Sequence, residues 1–115
     1  MSREENEARY ITEEKIIVER INEVISSGGK LYSISFGREI GIVTLHNGHI
    51  DNLYIEGQYQ RNGFGTRLLE HVLSIAGKQA YIDAPVPNKE LLHICDKLGL
   101  VKTKQTEHTV RMVKP

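Results

Sequence analysis

Gly63 and Gly65 stand one residue apart in the run Gln60-Arg61-Asn62-Gly63-Phe64-Gly65-Thr66, between a strand-like segment ending at Ile55-Glu56 and an apolar segment that begins at Phe64. When a strand feeds a glycine turn and a helix starts at once, the first backbone N–H groups of the helix lack partners and point beyond the strand end. With the helix dipole behind them, such donors make a site for a diphosphate. Gly63 and Gly65 let the chain come close to phosphate oxygens without a Cβ in the way, and Thr66 adds a hydroxyl. Gly-x-Gly by itself also fits a glycine-eased connection between a strand and a helix. Two common phosphate motifs are excluded: no Gly-Lys-Ser/Thr closes the turn as in a P-loop, and the third glycine of the dinucleotide fingerprint is missing.

The elements that must hold this turn are marked on both sides. Asn47-Gly48 separates the β-branched run Ile40, Ile42, Val43, Thr44 from Ile50, Leu53, Ile55, and a two-residue type I′ turn needs positive φ at both positions, so a hairpin with strands 39–46 and 49–56 is expected. After the turn, Leu68, Leu69, Val72, Leu73 and Ile75 or Ala76 recur at spacings of three and four and Gly77 follows, which predicts a helix over 64–76. Ala80-Tyr81-Ile82 reads as a short strand closed by Pro85 and Pro87. A third helix spans Lys89–Leu98, with Leu91, Leu92, Ile94, Cys95 and Leu98 apolar and Gly99 as its stop, and two short strands near 100–104 and 107–113 finish the chain. Upstream, Leu31–Phe36 alternates as a half-buried strand. Ile16, Ile17, Ile21, Val24 and Ile25 recur at helical spacing, and Glu13 and Glu14 fall in a favourable first turn, so the reading predicts an amphipathic first helix over Thr12–Ser26 ended by Gly28-Gly29. Residues 1–9 are polar, acidic and expected to fray.

A chain of 115 residues fits one domain, 1–115. Fifteen Lys and Arg balance fifteen Asp and Glu, so no net charge draws the chain to phosphate backbones or anionic lipid, and neither nucleic acid nor membrane is an expected partner. The apolar runs are three or four residues long, and no apolar region follows the N-terminus as in a secretion signal. The lone Cys95 has no internal disulfide partner and no second cysteine at metal-ligand spacing, which points to a reducing cytoplasm and no metal.

Gln60-x-x-Gly63-x-Gly65 after an antiparallel strand resembles the Q/R-x-x-G-x-G/A signature of the GNAT superfamily, the acetyl-CoA-dependent N-acyltransferases. The order of elements over roughly residues 12 to 113 is similar to that family's order. A second match lies downstream. Asn88 and Gly99 keep the family's eleven-residue separation, and Cys95-Asp96-Lys97-Leu98-Gly99-Leu100 stands where Tyr-Glu-Lys-Leu-Gly-Phe is usual. Cys95 takes the tyrosine position and Leu100 the phenylalanine position.

The resemblance implies an α/β (α+β) fold: a mixed, mainly antiparallel central sheet flanked by helices, with a splayed strand pair and a glycine-turn-helix acyl-CoA site. It implies acetyl-CoA as co-substrate, with the backbone of Leu53, Tyr54 and Ile55 pairing with the pantetheine arm and Gln60, Arg61, Asn62, Gly63, Phe64, Gly65 and Thr66 holding the pyrophosphate. Asn88 is either a bond to that arm or an N-cap before Lys89 and Glu90. The amine that attacks a thioester must be neutral, so a base is needed near it. In several family members the base sits a few residues before the glycine turn, where His49 and Asp51 share a strand face. His49 is the candidate base with Asp51 as its orienting partner, and a turn-flanking histidine is the alternative; Glu56 is the substitute base. His46, His71, His93 and His108 read as solvated surface. Cys95 is a replacement for the family's tyrosine acid, an acyl-carrying nucleophile, or a small buried apolar residue.

The family usually places a strand and two helices before its second strand, and only one helix is read here. That shortening implies an open acceptor site, one completed by a partner subunit as in a homodimer, or a vestigial one. The expected activity is N-acetylation of a primary amine on a small molecule or peptide. A module that keeps the fold and binds acyl-CoA or a protein without turnover is the alternative.

Overall fold

A computed structural model of the chain describes residues 7–11, 16–26 and 29–115. Its elements, in order, are the strands β1 (Glu7–Ile11), β2 (Ile16–Ser26), β3 (Gly29–Phe36), β4 (Arg38–His46) and β5 (His49–Ile55). Helix α1 (Phe64–Ala76), strand β6 (Tyr81–Pro85), helix α2 (Lys89–Lys97) and strands β7 (Val101–Gln105) and β8 (Thr109–Val113) follow. The strands form one sheet in the order β1-β2-β3-β4-β5-β6-β8-β7. Every neighbouring pair is antiparallel except β5 and β6.

The Asn47-Gly48 turn folds as predicted, with φ of 47° and 82°, and sets His46 opposite His49. Helix α1 occupies the expected residues and packs across β3, β4 and β5, burying Phe64, Leu68, Leu69, Val72 and Leu73. On the sheet, Tyr32, Ile34, Val43, Ile50, Ile82, Ala84, Val110 and Met112 are buried in the same core, with Leu91 and Cys95 from α2. The opposite face of the sheet carries Asn22, Val24, Leu31, Thr44, His49, Asp51, Tyr81, Asp83 and Arg111, all exposed or half-buried. Among the described residues both helices thus serve one face.

The first element departs from the sequence reading. Residues 16–26 form the eleven-residue strand β2, paired along its length with β3, instead of a helix; the proposed helix start at Thr12–Lys15 and its stop at Gly28 lie outside the described residues. Six of the eleven residues are Ile or Val, whose branched Cβ atoms are restricted in a helix and fit a pleated sheet. The period-2 signal is hidden because each face of β2 mixes types. One face carries Glu19, Ile21, Glu23 and Ile25, the other Arg20, Asn22 and Val24, and of these seven Ile21 is the apolar residue that packs against the core. Of the start expected to fray, residues 1–6 lie outside the described residues, whereas Glu7–Arg9 belong to β1. Strand β6 also runs three residues past Ile82, through Pro85.

Candidate functional site

Parallel strands β5 and β6 are paired at only two positions, His49 with Tyr81 and Ile50 with Ile82, and then diverge. Beyond that closed end, β5 carries an extra residue relative to β4: Thr44 faces Asp51 but Ile42 faces Tyr54, with Asn52 left-handed at φ 55°. Such a bulge moves every later side chain to the other face. Without it, Leu53 and Ile55 would share a face with His49 and Asp51. With it they turn to the helix side, where both line a groove of about 370 Å³, while Tyr54 is turned outward and exposed. Gly41 on β4 makes room for this shift, since a Cβ there would collide with Ile55 Cδ1 and stand 2.9 Å from the Tyr54 carbonyl oxygen.

The groove runs from Leu53 and Ile55, past the turn, to the outward side of α2. Gln60 ties the turn down by donating from Nε2 to the Ile55 carbonyl at 2.8 Å. Phe36, Tyr59 and Phe64 pack edge-on or tilted against one another and fix the first residue of α1. Arg67 lies over the Phe64 ring, 4.7 Å from its centroid, and pairs with Glu19 of β2, which is 4% exposed. The helix start is thereby held on three sides. Gly63, at φ 83°, is the residue before the helix, and no side chain caps it, so the amides of Phe64, Gly65 and Thr66 are uncapped donors at the groove wall. A Cβ on Gly65 would stand 3.5 Å from Ile55 Cγ1 and 3.9 Å from Ile94 Cδ1. The space between β5, the helix start and α2 is therefore about one side chain wide at this point.

Of the residues expected to bind a cofactor, Leu53, Ile55, Gln60, Arg61, Gly63, Gly65, Thr66 and Asn88 line the groove together. Tyr54 and Phe64 have side chains directed elsewhere, and Asn62 Nδ2 donates to the Gln60 carbonyl at 3.2 Å. Asn88 caps α2: its Oδ1 accepts from the Leu91 amide at 3.1 Å while the residue also borders the groove. The expected catalytic residues lie apart. His49 is at the closed end of the splay on the face opposite α1 and α2, its ring stacked on Tyr81 at 4.7 Å with 6° between planes. Arg111 lies over the Tyr81 ring at 4.3 Å and donates to both oxygens of Asp83, at 2.8 and 3.0 Å. Those bonds hold the Asp83 carboxyl below its usual range. Asp51 shares the face, but its Oδ1 accepts from the Asn52 amide, and no hydrogen bond joins it to His49. Glu56, at the far end of β5, is paired with Arg38 at 2.7 Å.

Cys95 is fully buried in the core and does not line the groove; burial pushes its thiol up to about 11. His71 is not solvated surface. Its ring meets Tyr32 edge-on at 5.6 Å, and burial lowers its pKa below 6.5. His93 is exposed yet lines the groove, as do Glu90, Leu91, Ile94 and Lys97. These α2 residues were missed as site residues. The signal was the series Asn88, Leu91, Ile94, Lys97 at spacings of three, an oblique ridge that winds partway round the helix.

The sequence matches the acetyltransferase (GNAT) family over residues 3–100, and the chain belongs to that family. In general terms this makes it an acyl-CoA N-acetyltransferase, a class that acts on amine acceptors. Solved structures share the fold. An IAA acetyltransferase from Bacillus cereus ATCC 14579 has a TM-score of 0.74 at 15% identity, over 84% of this chain and 98% of its own. A spermidine N-acetyltransferase chimera of Vibrio cholerae SpeG and hSSAT has a TM-score of 0.67 at 16% identity, over 77% of this chain and 68% of its own. YjaB from Escherichia coli has 0.63 at 22%, over 72% and 63%. No curated protein sequence matches the chain.

Proposed function

We propose that residues 1–115 act as one cytoplasmic domain that transfers an acetyl group from acetyl-CoA to a primary amine of a small molecule or peptide. The observation that best supports this is the convergence of the β5/β6 splay and the uncapped start of α1 on one groove. The residues fit the co-substrate. Amides of the Gln60–Thr66 turn would hold the diphosphate, with no Cβ on Gly63 or Gly65 to fill the cradle. The backbone of Leu53, Tyr54 and Ile55, released from β6 by the splay, has edge groups able to pair with an amide-bearing arm, and Leu91 and Ile94 supply an apolar wall. Acetyl-CoA supplies the thioester as acyl donor.

The helices cover one face, so an acceptor would approach from the other, at the closed end of the splay. His49 stands there and would take the proton from the amine, its ring orientation set by Tyr81 and its neighbourhood by Asp83 and Arg111. Asp51 on the same face would attract a cationic amine before deprotonation. Glu56 is a weaker candidate, since its carboxylate is engaged by Arg38 and stands seven residues from His49, about 23 Å along an extended strand. We assign Cys95 to packing, because it is buried away from the groove and its raised pKa keeps the thiol protonated. The proton needed by the departing sulfur would then come from solvent.

The test is release of free CoA thiol from acetyl-CoA with a panel of polyamines, amino acids and peptides with free N-termini or lysines. Amine-dependent release supports the reading; CoA binding without release for any amine would refute transfer.

A further inference from the structure

The row Asn88, Leu91, Ile94, Lys97 lines the groove along α2, and its chemistry changes along its length: a polar cap, two apolar side chains, then a cation. Successive members are about 4.5 Å apart along the axis, three residues at 1.5 Å each. The position along this row is fixed by Ile94, whose Cδ1 would be 3.9 Å from a Cβ on Gly65 and which therefore stands level with the uncapped amides of α1. Lys97 is one step further from Asn88, turned about 60° round the axis from Ile94, and still borders the groove. Arg61 borders the same groove from the turn, held at φ 65°, a conformation that a non-glycine side chain rarely adopts. Neither cation has an ion pair or hydrogen bond among the described residues, in contrast to Arg38, Arg67 and Arg111, each bound to a carboxylate. Glu90, the groove's acidic residue, lies seven positions before Lys97, near the other end of the row.

We infer that Lys97, with Arg61 on the turn side, holds the ribose 3′-phosphate of CoA and gives the protein a preference for CoA over donors that lack that group. This rests on reading the groove as the CoA site. A diphosphate at the amides of Phe64–Thr66 leaves the nucleotide end of CoA as the part that continues past Ile94, and its third phosphate is the group with the charge to match two unpaired cations. Glu90 sits beside the uncharged arm, where it does not oppose that phosphate.

The test compares CoA with 3′-dephospho-CoA, which keeps the diphosphate and arm, by calorimetric titration of the wild type, Lys97→Met and Lys78→Met. Lys78 is exposed outside the groove and controls for the loss of one positive charge. The wild type is expected to favour CoA by roughly tenfold, the scale of one charge-assisted contact. Lys97→Met should lower that ratio severalfold, Arg61 keeping the remainder, while binding 3′-dephospho-CoA as the wild type does, and Lys78→Met should keep the wild-type ratio. An unchanged ratio in Lys97→Met, or an equal loss for both ligands, overturns the inference and leaves the CoA site standing. A wild type that binds neither ligand overturns both.

Discussion

Replacing Gly65 with Leu should separate folding from cofactor binding, because the two respond in opposite directions. Gly65 is the second residue of α1 and does not have a positive φ, and a Cβ there meets Ile55 and Ile94 only at ordinary contact distances of 3.5 and 3.9 Å. The β-carbon itself therefore fits without displacing a neighbour. Glycine in a helix is about 0.8–1 kcal/mol worse than the best formers, and a first-turn position should recover about half of that. At a few degrees per kcal/mol for a domain of this size, the free protein should melt about 2–3 °C higher. The rest of the leucine side chain, however, extends into the groove beside the uncapped amides. At 100 times Kd, CoA should stabilise the wild type by about 2.7 kcal/mol, on the order of 10 °C in Tm, and this shift should vanish in Gly65→Leu. Thermal melts with and without CoA read both effects. Gly63→Val is a poorer probe, since Gly63 sits at φ 83° and a β-branched residue there costs about 1–3 kcal/mol whatever binds. If Gly65→Leu stays folded and keeps the full CoA shift, the phosphates are held elsewhere.

His49→Ala should lower amine-dependent turnover about 10²–10⁴-fold without changing the CoA melting shift, because the ring is on the face opposite the groove; an unchanged rate would remove His49 from the chemistry. The Cys95 thiol should resist DTNB in the native protein and react on unfolding, and Cys95→Ala should cost about 1 kcal/mol in stability with turnover per folded molecule unchanged. His71 has a folded pKa below its ordinary 6.5, so the unfolded chain binds the extra proton first and stability should fall as pH drops below 6.5. The groups facing it are Tyr32 and Glu23. Denaturant melts from pH 7 to 5 should show a shallower decline in His71→Gln; parallel slopes would mean that the fall comes from other groups.

What could be read from the sequence follows from how local each signal is. Asn47-Gly48 dictates its turn by backbone sterics alone, and the leucines of α1 with Gly77 behind them define a helix that needs no knowledge of its neighbours. Strand β2 is different. Ile21 and Ile25 share one face with Glu19 and Glu23 while Val24 lies on the other with Arg20 and Asn22, so 16–26 carry neither a clean alternation nor a buried stripe. The bulge at Asn52 was equally hidden: one asparagine in a strand is a faint sign, yet it decides that Leu53 and Ile55 line the groove while His49 and Asp51 face away. The glycine turn was legible as a phosphate site, whereas the contribution of α2 was not, since Ile94 reads as a core residue until Gly65 is placed against it, and Leu91 is both core and groove wall.

A ¹H–¹⁵N NMR titration with CoA decides whether the groove of β5, the Gln60–Thr66 turn and α2 is an acyl-CoA site. The largest amide shifts should fall on Gly63, Phe64, Gly65 and Thr66, with a second set at Leu53–Ile55 and Ile94–Lys97, and only small changes along β7. Saturable shifts centred on another surface, or none at millimolar CoA, would contradict that reading.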